Sequence, residues 1–577
     1  MSNFKLVFDI EADGLDPNNV WCIVAKEVSG GIHKFDNTQI EEGIEFLQTA
    51  DTLIGHNIIG YDMPVLEKLY GATFDCNIED TLVMSRLFNP VRENGHSLKA
   101  WGWRVGSLKQ QQPETFDEYT PAMLDYCVQD VKLNEAVYHY LLREGNVFSD
   151  ESIRLEHDVA KIMKEQEKTG FFFNTKQAME LLAELKAKQI AVEDEVHSTF
   201  KPKLVDDKLV TPYIRKDGEL SKRGLTDEEY NKCITTQNMN PFMRQKLVDF
   251  NLGSRKQIGE YLIDFGWKPV KFTPTKQPIV DEGTLKKIEH IKEAKLIADF
   301  LLYQKRIAQV TSWIDELKED RVHGSVIPNG TITGRMTHRN PNMAQVPNAG
   351  SPYGKECRSC WTVPKGRKLV GIDASGLELR MLAHYMNDPD YIEEVINGDI
   401  HTTNQNLAGL KTRDQAKTFI YALVYGAGDA KIGSVAGGGL NKGKELKQTF
   451  FKNLPSLKIL KEKVQKASER GFLKGLDGRK IYVRSQHAAL NTLLQGGGAI
   501  AMKKAMCFLQ ALIKLNDIDA KFVANIHDEW QIEVPTEQAD FVGELGVKSI
   551  ERASEHFKMR CPLTGEYKIG ENWYETH

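Results

Sequence analysis

Positive charge is not in excess in this chain. Its 75 lysines and arginines stand against 80 aspartates and glutamates, a formal net charge of −5 over 577 residues. No global basic field therefore advertises a polyanionic partner, although carboxylates gathered at a metal site can mask a basic groove elsewhere. Cysteine is sparse: eight residues are scattered, and the close pair Cys357-x-x-Cys360 has no second pair or histidine partner at zinc-ribbon spacing. A disulfide scaffold is thereby excluded, and reduced thiols in a cytoplasmic protein are expected. Long apolar runs are missing too. Met1-Ser-Asn-Phe-Lys5 opens no signal-peptide core, and no stretch reaches transmembrane length, so no membrane association is expected. No repeat or long low-complexity segment is evident. What remains is an ordinary globular composition, 41% hydrophobic and 27% charged, in a chain too long for one core.

The patterning points to a multidomain α/β and α+β protein. Residues 1–148 alternate strand-like and helix-like segments, beginning with Phe4-Lys-Leu-Val-Phe-Asp-Ile10. Helical spacing follows over 151–196, with Leu155, Val159, Ile162 and Met163 on one face. Residues 200–250 differ: they carry Lys201, Lys203, Lys208, Arg215, Lys216, Lys222 and Arg223 with little apolar periodicity. They read as an excursion from a helical domain, either a small subdomain or a flexible tip. Helical spacing returns over 282–319. Strands dominate from 322 onward, interrupted by a helical block over 391–470.

Two constellations carry chemistry. In the first, Asp9-Ile-Glu11 ends the opening strand, and period-two geometry puts both carboxylates on one face. His56-Asn57 then leads to Tyr61-Asp62. Thr120 is a good N-cap and Pro121 a good first helical residue, so a helix is expected to start there. Tyr126 and Asp130 stand four apart on it and share a face. Four acids and a tyrosine can hold two Mg²⁺ ions and orient a water against a phosphodiester. Any one of these acids alone is better explained as solvated or as capping a turn; the ordered set is far more specific.

In the second, Asp373 ends the apolar run Lys368-Leu-Val-Gly-Ile-Asp373, and Asp528 lies where two strand-like segments meet at His527-Asp528. Glu378 falls about one turn into the helix that follows Asp373. Between the two aspartates, Thr412 and Gln415 form a capping-box pattern ahead of Arg413, Lys417 and Tyr421 at four-residue spacing on one broad face. Asp373 as an N-cap, Asp528 as a turn residue and the helix as an ordinary amphipathic surface are the bland readings, each reasonable singly. Together they meet the requirement for in-line nucleotidyl transfer: paired carboxylates for two divalent cations, opposite a cationic face for a triphosphate.

These segments resemble family A DNA polymerases, the polymerase I class. The Asp373 segment, the Arg413-x3-Lys417-x3-Tyr421 helix and His527-Asp528-Glu529 look like that family's motifs A, B and C. Thr333-Gly334-Arg335 with Pro341-Asn342-Met-Ala-Gln345 looks like its minor-groove segment, and Gly398-Asp-Ile-His401 and Asn491-Thr-Leu-Leu-Gln495 match as well. The similarity runs closer still to the replicative polymerases of autographivirus-type short-tailed phages, as in Ala416-Lys-Thr-Phe-Ile-Tyr421. The first constellation resembles DEDD proofreading exonucleases of the tyrosine subtype.

The resemblance implies roles. Asp373 and Asp528 would ligate two catalytic Mg²⁺ ions, and Asp9, Glu11, Asp62 and Asp130 two more at an exonuclease site where Tyr126 positions water. Arg413, Lys417 and His401 would contact the incoming dNTP, with Lys417 a candidate general acid. Glu378 would exclude a ribose 2′-hydroxyl, Tyr421 would lie beside sugar and base, and Tyr425 near the templating base. Arg335, Gln495 and Asn342 would touch primer–template DNA. The implied architecture is a ribonuclease H-like exonuclease domain over 1–149 and a right hand: thumb 150–321, palm 322–390 with 486–577, fingers 391–485. A nuclease motif starting at residue 9 leaves no room for a preceding flap-nuclease domain, the pattern of a replicative enzyme. A thioredoxin-like processivity factor at 200–250 and a replicative helicase-primase are candidate partners that the sequence does not fix. The rivals are a DNA-gripping 3′–5′ exonuclease without polymerase activity and a noncatalytic scaffold; both predict decay of Asp373, Lys417 or Asp528, and none has decayed.

Overall fold

A computed structural model describes residues 4–108, 113 and 115–577. The chain divides into two compact units, Met1–Asn174 with Glu316–His577, and Thr175–Asp315.

The larger unit opens with β1 (Lys5–Ala12), β2 (Val20–Glu27), β3 (Ile32–Phe35), β4 (Thr52–Gly55) and β5 (Asn77–Asp80) in one sheet of order β3-β2-β1-β4-β5. β1 runs antiparallel to β2 and parallel to β4. Alternation sends Leu6, Phe8 and Ile10 into one apolar core and Val7 into another, so Asp9 and Glu11 fall on the face of Val7. Helices α1 (Asp62–Tyr70) and α2 (Thr81–Phe88) follow β4 and β5. α3 (Pro121–Gly145) closes the Val7 face with Cys127, Val128 and Val131; Thr120 caps it by accepting from the Met123 N–H. α4 (Asp150–Thr169) places Leu155, Val159, Ile162 and Met163 in the core of the C-terminal half. On α4, His157 Nε2 also accepts from the Asp80 N–H at 2.8 Å.

The smaller unit pairs two long helices, α5 (Thr175–Thr199) and α7 (Lys292–Asp315), over a core that includes Phe200, Phe250, Tyr261 and Trp267. Between them, the 200–250 excursion is an antiparallel ribbon of β6 (Lys203–Val210) and β7 (Phe242–Val248), bulged between Asp206 and Lys208, with α6 (Asp227–Thr236) in its connection. Leu204, Leu209 and Leu247 are 64%, 63% and 65% exposed. Several of its cations already face acids: Lys203 pairs with Asp264, Arg215 with Glu219 and Lys222 with Asp227.

The second sheet of the larger unit is antiparallel throughout. It is built from β8 (Arg367–Ala374), β9 (Lys521–Ile526), β10 (Glu529–Pro535) and β11 (Gly565–Gly570), in the order β9-β10-β8-β11. β8 is central, and Leu369, Val370 and Ile372 are fully buried, which is why that strand reads as a continuous apolar run. Gly376, at φ +59°, swings the chain from β8 into α8 (Leu377–Met386), a conformation that costs glycine little. α9 (Ile400–Ala408) and α10 (Arg413–Val424) follow; α11 (Ala489–Leu515) and α12 (Ala539–His556) join the same core.

Candidate active sites

Asp373 is the penultimate residue of β8, in register with Glu529 on β10 and Glu566 on β11. Asp528 lies in the two-residue turn between β9 and β10, where Ile526 pairs with Glu529. His527 takes φ +57° there, a left-handed conformation costing a side-chain-bearing residue roughly 1–2 kcal/mol. The Ala374 N–H donates to the Asp528 carbonyl at 3.1 Å, joining the two strand ends. Burial, then the charges of Asp528 and Glu529, push the Asp373 carboxyl up to about 7. Burial, then Glu378, pushes Asp528 up to about 6. Glu529 behaves differently. Burial raises it, but hydrogen bonds from His577, Trp573 and Gln531 at 2.8, 2.6 and 2.6 Å outweigh burial and hold it below its ordinary value. Two crowded carboxylates without side-chain donors among the described residues fit a hard divalent cation, which relieves their repulsion. The tied Glu529 is a support.

Glu378, in the first turn of α8, receives a hydrogen bond from Tyr425 Oη at 3.1 Å and faces Arg335 Nη2 at 3.4 Å. The Tyr425 and Tyr421 rings are 6.3 Å apart and 25° from parallel; the His401 ring also lies 6.3 Å from Tyr421. Tyr421 also feels the charges of Glu378 and Asp528. Arg413, at the start of α10, is clamped by Asp399 at 2.8 Å, and the same carboxylate caps α9 through the His401 and Thr402 N–H groups. Arg413 and Thr402 hold Asp399 far below the carboxylate range. Burial, with Arg413 and Lys417 nearby, depresses His401, so its ring is neutral beside those cations. Lys417 is exposed on α10. The expected capping box is offset by one residue: Thr412 accepts from the Gln415 N–H at 3.2 Å, but the Gln415 side chain accepts from Lys411 rather than Thr412.

Arg335, Asn342 and Gln495 line one cavity of about 550 Å³, together with Arg484 and His527. Arg484 went unnoticed in the sequence because it lies in a connecting segment, outside any periodic element.

At the first sheet, Asp9, Glu11 and Cys127 offer ligand atoms within 4.8 Å of one another, the only such trio among the described residues. Cys127 Sγ lies 3.8 Å from Asp9 Oδ2; its only sequence signal was its place between Tyr126 and Asp130. Asp62 opens α1 and accepts from the Ile10 N–H at 3.2 Å. Burial pushes its carboxyl up to about 7. Tyr126 and Asp130, both buried, lie on α3 over the Asp9 face. Asp62 and Asp130 fall outside that trio, so of the four acids only Asp9 and Glu11 are grouped within it; their oxygens suit Mg²⁺, and a desolvated Asp62 gains from a nearby cation.

Residues 226–575 match the model of DNA polymerase family A, and the chain belongs to that family. It is 35% identical to the DNA-directed DNA polymerase of Enterobacteria phage T3, over 99% of this chain and 100% of that protein. The DNA-directed DNA polymerase of Escherichia phage T7 is also 35% identical, over 91% of this chain and 92% of its own. DNA polymerase I of Caldicellulosiruptor bescii is 30% identical over 57% of this chain and 41% of its length. The POL domain of Pol1 from M. smegmatis, in complex with DNA primer-template and dNTP, matches with a TM-score of 0.80 at 18% identity. That match spans 100% of this chain and 96% of the other, and is a likeness of fold.

Proposed function

We propose that this family A enzyme adds dNTPs to a primer 3′-hydroxyl where β8 meets the β9–β10 turn, and removes nucleotides 3′ to 5′ at the Asp9 face of the first sheet. The observation that carries the polymerase reading is the Asp373–Asp528 pair: burial and the charge of Asp528 raise Asp373, burial and Glu378 raise Asp528, and the charge of Asp528 reaches Tyr421 on the cationic helix. Two Mg²⁺ ions held by those carboxylates would activate the primer hydroxyl and stabilise charge on the α-phosphate and pyrophosphate.

The chain's own residues do the rest. Arg413, released from Asp399, and Lys417 bind the triphosphate; both are exposed at the start of α10. Neutral His401 donates a hydrogen bond to a phosphate oxygen. Lys417 gives a proton to the departing pyrophosphate. Glu378 closes the space where a 2′-hydroxyl would sit, and Tyr421 and Tyr425 stack against the nascent pair. Arg335 and Gln495 test minor-groove acceptors shared by all correct pairs.

At the second site, Asp9, Glu11, Asp62 and Asp130 would hold two further Mg²⁺ ions, which would activate water for phosphodiester hydrolysis, and the Tyr126 hydroxyl would orient that water. We assign residues 1–149 to a ribonuclease H-like exonuclease domain, 150–321 to the thumb, 322–390 and 486–577 to the palm and 391–485 to the fingers. The relatives support a role in phage DNA replication in the host cytoplasm. The exposed leucines of the β6–β7 ribbon, with Lys208, which makes no ion pair among the described residues, favour a surface that contacts DNA and a thioredoxin-like processivity factor; a replicative helicase-primase is a further candidate partner. An end-labelled primer annealed to template, with Mg²⁺, tests the reading: it should lengthen with dNTPs and shorten without them.

A further inference from the structure

A cavity of about 390 Å³ in the larger unit is lined by segments that adjoin both proposed sites. Its lining includes His56, Asn57 and Gly60, from the segment that leads into Asp62, and Ser325–Ile327 with Arg339, a few residues beyond Arg335. Arg86, from α2, projects into it and is partly buried. Neither Arg86 nor Arg339 makes a side-chain hydrogen bond or ion pair among the described residues. Burial and the charge of Arg339 both disfavour the Arg86 guanidinium, and only Asp80 favours it.

The neighbouring acids do not answer that charge. The Asp80 carboxylate is occupied by three backbone donors, the N–H groups of Asn57, Ile59 and Leu82 at 2.9, 3.1 and 2.9 Å. Glu167 pairs with Lys164 at 3.4 Å. His96 is bonded to Ser85 and pushed down to about 4 by burial and then by Arg86, Arg92 and Arg104, so it adds no charge at neutral pH. A partly desolvated guanidinium with unused donors, beside a second one, is a costly arrangement in a free protein. It is what a phosphate oxyanion, gripped by planar donor forks, requires.

We propose that Arg86 and Arg339 bind a backbone phosphate of the primer strand as its 3′ end passes from the Asp373–Asp528 site to the Asp9 site. The proposal rests on the two-site reading above. A DNA strand is favoured over a free nucleotide because the cavity's walls come from the two segments that carry those sites.

The test uses the full chain with Arg86→Ala and, at the exposed end of the strand Thr337–Arg339 where folding is not at risk, Arg339→Ala. Three rates are compared: extension of a matched primer, hydrolysis of a short single-stranded oligonucleotide, and excision of a mismatched primer terminus. A 2-aminopurine at the primer end reports how much of it occupies the nuclease site. Each variant should lower mismatch excision and transfer roughly tenfold or more, the loss of one charge-assisted phosphate contact. The other two rates should stay within about twofold, and the salt slope of transfer should fall by about 0.7. Unchanged transfer in Arg339→Ala and Arg86→Ala would overturn the proposal. So would an equal loss of oligonucleotide hydrolysis, which would place these arginines within the nuclease site itself. Thermal stabilisation of the parent, but not of Arg86→Ala, by dTMP or inorganic pyrophosphate without DNA would make the occupant a free phosphate compound. Absence of both extension and excision in the parent would instead refute the two-site reading.

Discussion

Tyr425 donates its phenolic hydrogen to Glu378 Oε1 at 3.1 Å, and Arg335 reaches the same oxygen at 3.4 Å. Three segments distant in sequence thus converge on one carboxylate: the minor-groove segment, the first turn of α8 and the end of α10. Glu378 is held by Tyr425, the residue expected beside the templating base, so under the proposed roles sugar discrimination and template reading would share a contact.

Replacing Glu378 with alanine should therefore raise ribonucleotide use relative to dNTP use by roughly 10–100-fold, the scale on which a pocket separates substrates differing by one small group. Tyr425→Phe keeps the ring but frees the carboxylate, and should give a smaller rise. Relative kcat/KM for an rNTP and its dNTP, measured by single-nucleotide incorporation, decides this; unchanged ratios in both variants would count against the gate.

Asp9 and Glu11, of the proposed nuclease site, lie on a different sheet from Asp373. Asp9→Ala with Glu11→Ala should abolish 3′–5′ degradation while primer extension stays within about twofold of the parent, because removing two ligands empties one metal site and leaves the other intact. Collapse of matched-primer extension in this variant would mean that the sites are not independent.

Much of this was legible in the sequence for a local reason. β8 and the β9–β10 pair are apolar runs that end at an acid, and α10 repeats its functional side chains every four residues. Contacts closed over long separations left no such trace: the Glu156–Arg479 and Glu156–Lys503 pairs span 323 and 347 positions, and Arg86 meets Arg339 only through the fold. The 200–250 segment was opaque because β6 is exposed along nearly its whole length; with neither face buried, a strand shows no alternation of apolar and polar residues.

The raised carboxyls give a pH signature. With folded-state values near 7 and 6 for Asp373 and Asp528, above the ordinary carboxylate value, the folded protein binds protons more tightly than the unfolded chain. Their contribution to metal-free stability is thus most favourable below the ordinary carboxylate pKa and declines as pH rises through 6 and 7. Mg²⁺ should substitute for those protons. In an Asp9→Ala/Glu11→Ala background, millimolar Mg²⁺ should raise the melting temperature at pH 8 and have little effect at pH 5. Equal shifts at both pH values would contradict the charge-repulsion account.

Glu156, on α4, is fully buried and accepts from Lys503 at 2.7 and 2.9 Å as well as from Arg479. Arg479 also pairs with buried Asp477 at 2.7 Å. Glu156→Gln leaves Lys503 without a counter-charge and should destabilise the larger unit by about 3–5 kcal/mol. Glu156→Gln with Lys503→Met removes both charges and should recover much of that loss. Urea unfolding of the four proteins in the cycle measures the coupling, and a double variant no better than Glu156→Gln alone would show that the pair is not an isolated unit.

The most direct test of the central claim is extension of a labelled primer with dNTPs and Mg²⁺ by the parent and by Asp373→Asn and Asp528→Asn. These isosteric changes keep the strand ends and remove one charge each. The parent should extend the primer to the end of the template, and each variant should lose at least roughly a thousandfold in extension rate, the order expected when one group of a unit acting on the transition state is removed. The exonuclease rate on single-stranded DNA should be retained in both. A parent that only shortens the primer, or an Asp528→Asn protein that extends it at the parental rate, would contradict the account.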